Sequence, residues 1–126
     1  MSGIALISIP MKASRSVLRL LNLFGAIRDL SPFDRLDGDE ELLLNDLVLR
    51  WSKQDKVMVR DVLADIRYPS SATAYRRLMR LHDKGLVSFH IPHEDRRLRY
   101  VLPTEAAKQY ISSLEEVVNQ LSNEKN

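Results

Sequence analysis

The stretch Ser70-Ser71-Ala72-Thr73-Ala74-Tyr75-Arg76-Arg77-Leu78-Met79-Arg80-Leu81-His82-Asp83-Lys84-Gly85 decides the fold. Ala74, Leu78 and Leu81 recur at helical spacing and define an inward face. Thr73, Arg76, Arg77, Arg80 and Lys84 fall at i, i+3, i+4, i+7 and i+11, a second stripe predicted to lie largely opposite the first. Ser70 or Ser71 supplies a hydroxyl to cap the helix start. Lys84 in the last turn, with Gly85 just beyond, stops the helix. A helix over 71–84 can therefore rest on its own domain and present arginines on the other side.

Upstream, Val59, Val62, Leu63 and Ile66 form one face of a short helix, interrupted by Arg67-Tyr68-Pro69. A short helix, a tight turn and a second helix make a helix-turn-helix. Downstream the hydrophobic period drops to two. Leu86, Val87, Phe89 and Ile91 make one strand. Leu98, Tyr100 and Leu102 make another, with Arg99 and Val101 on its opposite face. The charged run Pro92-His93-Glu94-Asp95-Arg96-Arg97 between them is the tip of a hairpin. The expected fold is mainly α with a small two-stranded β wing: a winged helix-turn-helix over 59–101.

Flanking helices complete a single domain spanning 1–126. Residues 12–30 carry an apolar stripe of Leu18, Leu21, Phe24, Ala26 and Ile27, preceded by Pro10 and ended by Ser31-Pro32. A second helix starts at Asp37, where Asp37 and Glu40 resemble a capping box. It runs through Leu43, Leu44, Leu47, Val48 and Trp51 to Gln54, and Trp51 reads as a packing residue. The last helix follows Pro103-Thr104-Glu105, with Thr104 as its cap. Its Ala107, Ile111, Leu114, Val118 and Leu121 form a narrow seam suited to another helix. That seam, in the helix at 104–122, suits dimerisation with a second copy.

Charge distribution points to an anionic partner. The net charge is only +2, yet residues 67–99 hold eight basic and three acidic side chains. The remainder is therefore mildly acidic, so attraction for an anion is local. A helix fits the major groove, where arginine donates two hydrogen bonds to guanine. Ser71, Thr73, Arg76 and Arg77 are the expected base or near-base contacts. Arg80 and Lys84 suit phosphates, and Ser70 and Tyr75 can add hydroxyl donors. At the wing, Arg96 and Arg97 suit a narrow minor groove, with Arg99 beside them. Asp95 can hold an arginine in one rotamer through a bidentate pair.

Three segments resemble the multiple-antibiotic-resistance regulator (MarR) family. They are Leu81-His82-Asp83-Lys84-Gly85-Leu86-Val87, then Glu94-Asp95-Arg96-Arg97, then Val101-Leu102-Pro103-Thr104-Glu105. The similarity covers about 59–107. Pro103 stands where leucine is usual, and Ala107 where glycine is common. The resemblance implies a homodimeric transcriptional regulator, most simply a repressor, with intertwined terminal helices and a wing role for Asp95 and Arg97. It also implies a small phenolic or lipophilic effector, which no residue here identifies.

Other classes find less support. The absence of cysteine excludes disulfides, thiolate zinc sites and thiol redox sensing. His82, His90 and His93 are the only histidines, and the latter two need not share a face, so no metal site is expected. No phosphate loop or nucleophile elbow is present. The expectation is therefore a non-enzymatic protein without cofactor, located in the cytoplasm and not in a membrane. A winged helix used for protein contacts, or a plasmid or replication DNA-binding protein, are the alternatives.

Overall fold

A computed structural model describes residues 14–30 and 33–124. The elements run α1 (Arg15–Arg28), a 3-10 turn (Phe33–Arg35), α2 (Gly38–Lys53), β1 (Val57–Met58), α3 (Val59–Leu63), α4 (Ser71–Asp83), β2 (Val87–His90), β3 (Tyr100–Pro103) and α5 (Glu105–Glu124). The architecture is mainly helical with one small antiparallel sheet in the order β1-β3-β2. The sheet has three strands, not the expected two. β1 is only two residues long, too short to leave a period in the sequence. It pairs Val57 with Val101 and Met58 with Tyr100. β2 pairs Phe89 with Val101 and Ser88 with Leu102.

Local chemistry fixes the helix ends. Asp37 accepts a hydrogen bond from the Glu40 amide and caps α2. Ser70, the first of the two serines, caps α4 by accepting from the Thr73 amide. Gly85 has φ of +78°, a left-handed conformation that costs little only for glycine. Its amide donates to His82 and that of Leu86 to Leu81, so the last carbonyls of α4 are satisfied. Thr104 accepts from the Ala107 amide at the start of α5 and donates to the Gly85 carbonyl. One side chain thus joins the end of α4 to the start of α5.

The core gathers Leu43, Leu44 and Leu47 of α2, Val62 of α3, Leu78 and Leu81 of α4, Leu86, and Val101 of the central strand. Trp51 packs at its edge and donates from Nε1 to the Val101 carbonyl. Several expectations need correction. Helix α3 ends at Leu63, and Ile66 is 97 % exposed, not part of the inner face. Asp65 accepts from the Arg67 amide in a local turn, which takes Ile66 off the helical path. In β3, Val101 faces the core and Tyr100 and Leu102 form the half-covered side. The regular part of the strand starts at Tyr100, after Leu98.

The terminal helices also turn differently. In α1 only Ile27 is buried, with Leu20 and Leu23 packed beside it. Leu18 and Leu21 are exposed, and Phe24 is at the margin. A run this rich in leucine lets several faces look apolar. In α5 the inner line is Ala107, Tyr110, Leu114, Val117 and Leu121, and Val118 points outward. Tyr110 lies against Phe33, ring centroids 5.0 Å apart, and donates to Asn45 Oδ1 at 2.7 Å. The expected starts of the first helix at Lys12 and its Pro10 and Ser31-Pro32 boundaries lie outside the described residues.

Candidate nucleic-acid interface

The segment from α3 to α4 is held in shape by an ion-pair network that the sequence reading missed. Asp46, nearly buried on α2, accepts from Tyr68 Oη at 2.7 Å, an Arg67 guanidinium nitrogen at 2.8 Å and Arg50 Nε at 3.2 Å. Asp65 accepts from the Arg67 amide and side chain, and from Arg50 at 2.6 Å. Burial pushes the Asp46 pKa upward, but its three donors outweigh burial and hold it below the usual value. Hydrogen bonds from Arg67 hold the Asp65 carboxyl well below the usual range. Burial, then the bond to Asp46, push the Tyr68 phenol up. Asp46 and Arg50, four apart on α2, were the available signal.

Along α4 the expected stripe divides in two. Ala74, Leu78 and Leu81 face the core as expected. Thr73, Arg77 and Lys84 flank that inner face and are not opposite it. Positions next to an apolar row lie at the helix boundary, and here the boundary meets the acidic start of α2. Lys84 pairs with Glu40, which is only 3 % exposed, and donates to the Arg35 carbonyl at 2.6 Å. Arg77 lies 3.3 Å from Asp39, its side chain 20 % exposed, and Arg80 lies 3.8 Å from Asp37. Ser70 is occupied as the cap, and Ser71 donates to the Leu63 carbonyl at 3.0 Å, tying α4 to α3.

The outward cations are fewer and clearer than the sequence implied. Arg76 is exposed on α4 and donates to Thr73 Oγ1 at 3.2 Å. Arg96 and Arg99 are exposed in the β2–β3 connection. Arg76, Arg96 and Arg99 have no carboxylate partner within ion-pair distance among the described residues. Arg99 instead lies over the Phe89 ring, 5.9 Å from its centroid. Arg97 donates from its amide and Nε to Asp95 Oδ1 and from its terminal nitrogen to Oδ2, as expected for an orienting carboxylate. Its side chain nevertheless remains 90 % exposed. Hydrogen bonds from Arg97 hold the Asp95 carboxyl below its usual pKa and raise that of Arg97.

Of these, Arg96, Arg97 and Arg99 line a cleft of about 280 Å³ that runs from the β2–β3 connection to α3 and α4; Arg76 lies outside it. Tyr75 lines it from α4 and Arg96, Arg97 and Arg99 from the other side. Arg60 of α3 joins them. Arg60 escaped the sequence reading because it lies outside the 67–99 basic run, and only the fold carries it to the cleft. His82 stacks on Phe89 at 5.1 Å, His90 and His93 line one pocket with Glu94, and no three metal-ligating side chains cluster among the described residues. No helix among the described residues is long and apolar enough to cross a membrane. No family model, curated protein or solved structure matches the chain.

Proposed function

We propose that the protein is a winged helix-turn-helix regulator that binds duplex DNA sequence-specifically as a homodimer, in the cytoplasm and without catalysis. The observation that carries this reading is the shared cleft, where Arg60, Arg96, Arg97 and Arg99 meet Tyr75 of α4, the residue before the exposed Arg76. In this reading α4 enters the major groove with Arg76 toward base edges. Arg96 and Arg97 at the wing reach phosphates or the minor groove. Arg77 and Arg80 stand one step back, and Lys84 serves the fold.

Dimerisation draws on apolar surface that one copy leaves open. Leu18 and Leu21 of α1, Leu42 and Leu49 of α2 and Val118 of α5 are all more than half exposed. Scattered exposed leucines are ordinary, but grouping over neighbouring helices marks an interface. A groove of about 530 Å³ between α1, α2 and α5, lined by Leu21, Phe24, Leu49 and Leu114, has room for a small lipophilic effector. Selection of bound sequences from a random duplex pool tests the reading. Convergence on a two-fold-symmetric motif, its half-sites about one helical turn apart, supports it. Failure to enrich any motif contradicts sequence-specific binding.

A further inference from the structure

The first turn of α2 presents Asp37 and Asp39 to the basic edge of α4, and their contacts differ in kind from the neighbouring Glu40–Lys84 pair. Glu40 is buried and holds Lys84 together with a backbone carbonyl, which makes a fixed bolt. Asp37 and Asp39 are both more than half exposed, and each reaches a single arginine: Asp37 lies 3.8 Å from the exposed Arg80, and Asp39 lies 3.3 Å from Arg77, whose side chain is 20 % exposed. The Asp37–Arg80 pair, exposed on both sides, is weak and exchanges readily, and in the other pair the Asp39 carboxylate stands in water while Arg77 is partly covered. A DNA phosphate offers the same chemistry as a carboxylate: an anionic oxygen that accepts from guanidinium.

We propose that this turn is an internal competitor for DNA phosphate. Asp39 holds Arg77, and Asp37 holds Arg80, until a duplex supplies better partners. The inference rests on the DNA-binding reading and adds to it a means of discrimination. Arbitrary duplex, offering only phosphates, must displace the two carboxylates for little return. A cognate site, where Arg76 also finds its base, holds α4 in place long enough for the exchange. The acidic turn therefore weakens non-specific binding more than specific binding.

Asp39→Asn tests this, because the side chain is exposed and makes no capping bond. Binding to random duplex is measured by fluorescence anisotropy across salt concentrations, for the wild type, Asp39→Asn, Arg77→Met and the double variant. Expected is a several-fold tighter association of Asp39→Asn at low salt. Its log–log salt slope should steepen by about one, the signature of one more neutralised phosphate. The gain should vanish when Arg77 is already methionine, and the ratio of selected to random duplex affinity should fall. A gain that persists in the Arg77→Met background would mean that Asp39 acts only through its field, and the inference is then wrong. Unchanged or weaker binding would also overturn it, the latter by showing that Asp39 orients Arg77 toward DNA. If the wild type itself binds no duplex at low salt, the DNA reading falls and this inference with it.

Discussion

Lys84→Met removes the ammonium from a carboxylate that the fold has almost entirely withdrawn from water. Glu40 is 3 % exposed, and Lys84 is its only ion-pair partner among the described residues. The same ammonium satisfies the Arg35 carbonyl. Breaking a buried pair from one side typically costs about 3–5 kcal/mol, because the surviving charge stays desolvated. The Lys84 side chain is itself a quarter exposed, so water can reach the vacated position and the lower end applies. A loss of about 3 kcal/mol is a large share of the roughly 5–15 kcal/mol that holds an ordinary domain together. Urea denaturation with matched m-values reads it directly as a lowered midpoint. Glu40→Gln in the same chain should restore part of the loss, since a neutral amide tolerates burial better. A loss below about 1 kcal/mol, together with a DNA salt slope reduced by one, would refute the structural role and return Lys84 to the phosphate contacts.

Asp95→Ala should weaken DNA binding although it removes a negative charge, because Arg97 loses the partner that orients it; tighter binding in the anisotropy assay would contradict that role. Asp46 and Asp65 both have lowered folded pKa values, so their contribution to stability is complete above the unfolded carboxylate range. It should be lost as pH falls below about 4 toward the folded values, and Asp65→Asn should flatten that dependence in acid-unfolding curves. Gly85→Ala should cost about 1–2 kcal/mol from its positive φ alone, with nothing crowding the new methyl group, as read by thermal melting. Leu49→Arg places a charge on the open apolar face and should shift sedimentation to the monomer while far-ultraviolet circular dichroism is retained.

The inner faces of α2 and α4 were legible in the sequence because each is one amphipathic stripe with a capping residue at its start: Asp37 for α2 and Ser70 for α4. Gly85 marked the end of α4 for an equally local reason. What could not be read was the outcome of competition between elements. Arg77 and Lys84 lie at the border of the inner face on a helical projection, and nothing near them in sequence reveals that the acidic turn of α2 meets them there. Arg67 counted toward the basic cluster, yet Asp46 and Asp65 bind it into the scaffold. Arg60 reaches the cleft because β1 pairs with β3 and the Val59 amide donates to the Arg99 carbonyl, which sets the start of α3 beside the β2–β3 connection. The Tyr110 and Val117 line of α5 lies one step around the helix from the line chosen by counting leucines and isoleucines. Both lines are apolar, and only the packed neighbours, Phe33 and Asn45, select one.

The salt dependence of duplex binding by the wild type and the triple variant Arg76→Ala, Arg96→Ala, Arg99→Ala tests DNA binding through the outward arginines most directly. The expected result is steep wild-type binding at low salt, with a log–log slope that falls by about two per protomer in the variant, one for each wing arginine that leaves a phosphate, while thermal stability is unchanged. Binding absent from the wild type at low salt, or a slope that survives loss of all three arginines, would contradict it.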